Sequence, residues 1–193
     1  MLKLLILVIN IYNIKIMIID THHHFWKYNP VEYDWINEDM KIIRRDFLPE
    51  NLKKEIENSG IYGVISVQAR QCLEETDWLL KLAAENDFIK GVTGWFPLKS
   101  HKIESLLESR SSDPFLKAVR HVLQGEPDDY MLDKEFNRGI SLLKKYDLIY
   151  EILIFERQLK AALKFVELHP GQIFVLDHIA FLKLFDVSKL DHC

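Results

Sequence analysis

The run Asp20-Thr21-His22-His23-His24-Phe25-Trp26 holds the densest group of chemically able side chains in the sequence. It follows Ile14-Lys15-Ile16-Met17-Ile18-Ile19, a β-branched apolar run that predicts a short buried strand ending at a polar edge. Side chains alternate along a strand, so Asp20, His22 and His24 are expected on one face, with Thr21 and His23 on the other. Two neutral imidazoles on one face can converge on a single divalent cation, with Asp20 close enough to orient or join them. The competing reading is a polar strand end with solvated histidines.

Such a site needs elements beyond one strand to complete it. After His24 comes a loop-like segment, 25–43, with Asn29-Pro30 as a turn signal and Trp26, Tyr28, Tyr33 and Trp35 spread along it. These rings either wall a pocket, with Trp26 against a ligand, or cap the end of the sheet. Helices are expected over 50–59, stopped by Gly60, and over 74–86, 102–110, 134–146 and 158–168. Strands are expected over 61–68, 88–96, 116–120, 148–155 and 173–176.

Strands and helices alternating at this spacing predict an α/β fold with a parallel sheet and right-handed crossovers, either doubly wound or of the (β/α)8 TIM-barrel type. No Gly-rich phosphate loop follows the first strand, where a dinucleotide fold would carry one. Polar residues instead gather after strand C-terminal ends: His22 and His24, Gln68 and Arg70, Arg120 and His121, Asp177 and His178. In a barrel those ends form one rim, where the active sites of that fold lie. A full barrel has eight strands in roughly 250 residues, so the expectation is an incomplete barrel with about six of the eight units.

The balance of 48% apolar and 28% charged residues in 193 is that of a globular protein with room for a sizeable core. A net charge of -4 with interspersed signs gives no basic surface for nucleic acid. Cys72 and Cys193 allow neither a disulfide framework nor a cysteine zinc site, which points to a reducing, cytoplasmic setting. The opening MLKLLILVINIYNIKI starts like a signal peptide, but Asn10 and Asn13 interrupt it and it is too short to span a bilayer, so no membrane partner is expected. Met17 is read as the natural start and 1–16 as a non-native extension.

The stretches IIDTHHHFW (18–26), RRDFLPENL (44–52), VQA (67–69), GVTGWFPL (91–98), AVRHVLQ (118–124) and FVLDH (174–178) occur in an order that resembles the amidohydrolase superfamily. Within it the chain is similar to the amidohydrolase-related (amidohydrolase 2) group, and most to its L-fucono- and L-rhamnono-lactonase-like members. The resemblance implies that His22, His24 and His178 line a metal or substrate position, and that Gln68, Arg120 and His121 meet substrate oxygens. It also implies an aspartate after an eighth strand, acting on the attacking water, which this sequence lacks. Similar proteins continue after His178 with a Lys-Pro loop; here the chain reads Ile179-Ala180-Phe181-Leu182 and ends at Cys193, so 17–180 is read as a partial barrel and 181–193 as an aberrant tail of a truncated, impaired form.

The implied reaction is hydrolysis of a lactone, a small-molecule cyclic ester. A divalent cation, Zn²⁺ first, would polarise the carbonyl, although some similar lactonases work without a tightly held ion. Arg120 would bind oxygens through its fork of donors, Gln68 would add a neutral donor and acceptor, and His178 and His121 would act at the reacting centre, His121 on the oxyanion. Arg120 has a second reading as an ion-pair partner of Asp46, Asp177 or a loop acid. His101 and His169 read as helix-end surface residues. Two other functions stay open: a phosphoesterase, which would need more ligands than this rim supplies, and a non-catalytic remnant that binds metal or self-associates through open edges. Oligomeric state is left open.

Overall fold

The computed structural model describes residues 17–181; the extension 1–16 and the tail beyond Phe181 lie outside the described residues. Six strands, β1 (Ile18–His23), β2 (Ile61–Val67), β3 (Ile89–Gly94), β4 (Leu116–Val122), β5 (Ile149–Leu153) and β6 (Phe174–Leu176), form one sheet in sequence order. Every neighbouring pair is parallel. The intervening helices are α1 (Pro49–Ile56), α2 (Leu73–Glu85), α3 (Ile103–Glu108), α4 (Lys134–Leu143) and α5 (Leu159–Glu167). The result is a curled partial barrel, the α/β TIM-barrel type with six of its strands.

The first strand differs from its expected span because the histidines belong to it. His23 pairs with Ser66 of β2, which carries the strand through the polar run instead of ending it at Ile19. A register shift between Asp20 and His23 marks a bulge at that point. The other elements match their expected places within a few residues at the ends, as helix fraying and capping allow. Helix α4 begins where Asp133 accepts from the Phe136 N–H, and it gives way at Lys144–Tyr146 to a 3₁₀ turn ended by left-handed Asp147.

The main core lies between the outer face of the sheet and the helices. Val64, Val92, Val119 and Tyr150 point outward from their strands and meet Leu79, Ile103, Leu107, Phe136, Ile140 and Phe165, all of them buried. Gly139 lets α4 approach the β3–α3 loop: a Cβ there would sit 2.2 Å from the Leu98 carbonyl oxygen. A second, smaller core of Trp26, Tyr33 and Ile36 holds the 25–47 segment over the C-terminal ends of β1 and β2, with Tyr28, Ile43, Phe47 and Ala69 around it.

Strands β1 and β6 form the two edges, and neither has an outer partner strand among the described residues. Both edges carry apolar side chains in water, with Ile18 49%, Val175 44% and Leu176 42% exposed. Among the described residues no helix is long and apolar enough to cross a membrane.

Candidate active site

Two-residue alternation along the strands decides which rim residues meet. His22 on β1 and His24 just past its end face the barrel interior with rings 5.1 Å apart, while His23 turns outward, its Nε2 3.0 Å from Ser66 Oγ and its ring against Phe25. On β4, Arg120 points inward, and its register partner on β5 is Glu151.

At the end of β6 the chain bends sharply. His178, Ile179, Ala180 and Phe181 all adopt positive φ near 50°, a left-handed turn that costs each such residue roughly 1–2 kcal/mol. This turn brings the His178 ring to 4.7 Å from that of His22. One ligand atom each from His22, Asp177 and His178 lies within 4.8 Å of the others.

Arg120 sits at the centre of this group. Its Nη1 donates to Asp177 Oδ2 at 3.1 Å and to His22 Nε2 at 3.3 Å, and its Nη2 donates to the Gln68 carbonyl oxygen. Both partners of the Arg120–Asp177 pair are almost wholly buried, at 4% and 3% side-chain exposure. The ion-pair reading of Arg120 is therefore realised with Asp177, and the same guanidinium also lines the cavity above it.

The imidazoles of His22 and His24 are held neutral. Burial, and secondarily the Arg120 charge, lowers the His22 pKa and pushes His24 down to about 3. The His24 Nδ1–H donates to the Val67 carbonyl at 2.9 Å, so its Nε2 is left as the lone-pair nitrogen. Two imidazoles and a carboxylate, from His22, His178 and Asp177, are donors that Zn²⁺ and similar divalent ions accept, and the set fits one cation. Because His22 Nε2 already accepts from Arg120, ligation through that nitrogen requires the Arg120 hydrogen bond to be exchanged. His24 lies beside this group rather than in it.

His121 stands on the opposite face of β4 from Arg120. Its Nδ1 accepts from the Trp95 Nε1–H at 3.2 Å, its Nε2–H donates to Glu126 at 2.9 Å, and its ring stacks on Tyr130. The structure does not bring it to the His22–Asp177–His178 group. Trp26 likewise spends its indole N–H on the Arg45 carbonyl at 2.8 Å and is buried in the satellite core. Gln68 is wholly buried, and neither side-chain amide atom has a partner among the described residues. His169 is also buried, its ring bonded to Asn137 of α4 at 2.6 Å, so it ties helices together rather than lying on the surface.

Two cavities flank the group. The larger, about 720 Å³, opens above His24 and Arg120 and is walled by Glu32, Asp34, Trp35 and Arg70. The second, about 460 Å³, lies inside the sheet below His22, Asp177 and His178 and includes Glu151. Burial raises the Glu151 carboxyl to about 7; Thr93 donates to its Oε1 at 2.7 Å, and Oε2 has no partner among the described residues.

Asp177 as a candidate ligand and Glu75 as a support for the cavity wall were not singled out from the sequence. Glu75 Oε2 accepts the backbone N–H groups of Ala69 and Arg70 at 2.9 and 2.6 Å, while Tyr33 OH donates to Oε1 at 3.3 Å. A buried acid in the first turn of α2 thus fastens the β2–α2 loop to the aromatic segment. The available signal was an acid at a helix start, where loop N–H groups gather.

Residues 19–186 match the amidohydrolase family (Amidohydro_2). Among curated proteins, the chain is similar to an L-fucono-1,5-lactonase of Burkholderia multivorans, 37% identical over 83% of this chain and 54% of that protein. An L-fucono-1,5-lactonase of Burkholderia ambifaria is 32% identical over 84% of this chain and 56% of that protein. The chain thus spans about half the length of the curated relatives it matches. A solved amidohydrolase from Burkholderia multivorans with bound zinc superposes with a TM-score of 0.81 at 35% identity, covering 86% of this chain and 58% of that one. A probable 2-pyrone-4,6-dicarboxylic acid hydrolase from Acinetobacter baumannii shares the fold at a TM-score of 0.66 and 12% identity, covering 86% of this chain and 59% of that one.

Proposed function

The chain belongs to the amidohydrolase family, and from that premise we propose that it carries the carbonyl-binding part of a hydrolase that opens a sugar lactone. The observation that supports this most is the gathering of one ligand atom each from His22, Asp177 and His178 within 4.8 Å of one another, beside Arg120. The curated lactonase relatives supply the substrate class, and the zinc-bound structural relative supplies the cation.

In this reading His22, Asp177 and His178 hold one divalent cation, zinc first, and His24 stands beside it as a further imidazole. Such a cation would polarise a lactone carbonyl and acidify an attacking water. The chain's own residues bind and orient. Arg120 carries donors beside the carbonyl position and pairs directly with Asp177. Gln68, with an unspent amide, is assigned to a substrate oxygen. His178, the exposed imidazole of the group, is assigned to the cation, which takes up its one lone-pair nitrogen. His121 and Trp26 act through others: His121 braces the strand that presents Arg120, and Trp26 braces the cavity wall.

The test is hydrolysis of aldono-1,5-lactones by the purified chain, with and without added Zn²⁺, set against the same chain carrying His178→Ala. Zinc-stimulated turnover that the substitution removes is expected. Equal turnover by both chains would sink the assignment.

A further inference from the structure

The lactone reading leaves open which lactones enter, and the charge arrangement of the large cavity bears on that question. Two guanidinium groups border it, and each is already engaged. Arg120 is paired with Asp177 at 3.1 Å. Arg70 is paired with Glu32 at 3.1 Å, and its guanidinium lies 5.6 Å from the centre of the Tyr33 ring. Asp34 adds a further carboxylate to the same wall. Among the described residues, a ligand carrying its own carboxylate would meet no side-chain cation on this wall that is not already paired, and it would face two acids.

The wall also offers an aromatic face. Trp35 is 42% exposed where Trp26 and Tyr33 are buried, and it lines the cavity. Its ring is fixed edge-on against Trp26 at 6.0 Å, and Trp26 is itself locked by its bond to the Arg45 carbonyl. A preset indole face beside carboxylate acceptors suits a ring with C–H bonds on one side and hydroxyl groups around its edge. The ordering entropy of such a wall is already spent before the ligand arrives.

Building on the lactone proposal, we infer that this cavity selects uncharged polyhydroxylated lactones over lactones bearing a carboxylate, with Trp35 as the stacking face and the Glu32–Arg70 pair as the charge filter. Glu32 holds Arg70 back from an anionic ligand, and the filter is a single ion pair that one substitution opens.

The experiment is calorimetric titration of the whole chain with two hydrolysis-resistant probes, a neutral aldono-1,5-lactam and the same lactam oxidised to a carboxylate at its exocyclic carbon. The neutral lactam is expected to bind the unmodified chain at least about tenfold more tightly. Glu32→Gln should strengthen binding of the carboxylated lactam about five- to tenfold and so close most of its gap to the neutral one. Trp35→Ala should weaken the neutral lactam about tenfold, and Trp35→Phe, which keeps a ring and the local packing, should restore most of that loss. Equal binding of the two probes, binding of neither, or a preference untouched by Glu32→Gln would each overturn the inference. Selective binding without turnover of any lactone would uphold the filter and remove the hydrolysis proposal, so the two can fail separately.

Discussion

Arg120 of β4 and Asp177, the residue directly after β6, stand 57 positions apart in sequence and meet as a buried ion pair of 3.1 Å beside the ring of His22. The pair fixes two groups of opposite charge at the centre of the candidate site relative to each other. It also ties the last described strand to the middle of the sheet, so local stability and site geometry depend on the same contact.

Breaking that pair from either side strands a charge in the interior, which costs roughly 3–5 kcal/mol. Arg120→Met and Asp177→Asn are each expected to lower the unfolding free energy extrapolated from urea titration by that amount. The double variant should fall short of the sum by more than about 1 kcal/mol, because the groups share one interaction. Additive losses would show that the two residues act independently.

One cation per chain is expected to bind in zinc titrations followed by elemental analysis. His22→Ala and Asp177→Asn should each weaken zinc by more than the roughly 10–100-fold typical of a residue that only supports a ligand. His121→Ala should leave the stoichiometry at one, since both of its ring nitrogens are engaged on the far face of β4. Loss of zinc binding with His121→Ala in a chain that still folds would place that ring in the site after all.

Burial raises the Glu75 carboxyl to about 7, against the pull of the Arg70 and Ala69 N–H groups. The folded chain thus holds this proton more tightly than the unfolded chain does. The stability it contributes is complete below about pH 4.5 and is lost as pH rises through 7, a change of roughly 3 kcal/mol. The buried histidines run the other way: His23, lowered to about 4, and His24, lowered to about 3, add stability above 6.5 that fades as pH falls. Glu75→Gln keeps the shape and leaves the histidines alone, so between about pH 5 and pH 8 the variant should lose less stability than the parent. Parallel stability curves would show that Glu75 does not titrate in this range.

At Gly139, any side chain drives into the Leu98 carbonyl. Gly139→Ala should lower stability by about 1–3 kcal/mol, measured by thermal melting, although alanine is the better helix former. An unchanged or raised melting temperature would mean that α4 shifts outward without cost.

Much of this was legible in the sequence because it rests on periodicity. The alternation of strand and helix patterns gave the parallel sheet, and period two along 22–24 set His22 and His24 apart from His23. The same period separates Arg120 from His121, yet reading the rim as a list of strand ends placed them side by side. Strand β1 continued through the histidines because its pairing with β2 at Ser66 is a tertiary fact. The roles of Glu75, Glu32 and Arg70 depend on contacts across 38 to 42 positions of chain, which no local pattern encodes. Trp26 shows the limit most clearly. Its residue type suits a ligand, but its N–H is already committed to Arg45.

The satellite core of Trp26, Tyr33 and Ile36 makes the 25–47 segment a unit with packing of its own, closed on itself by the Trp26–Phe47 bridge and fastened to α2 through the Tyr33–Glu75 bond. Selection can therefore remodel what the molecule recognises by rewriting the outward residues of this one cassette. The strands that carry the reacting groups need not be disturbed, so new preferences can be tried without putting the scaffold at risk.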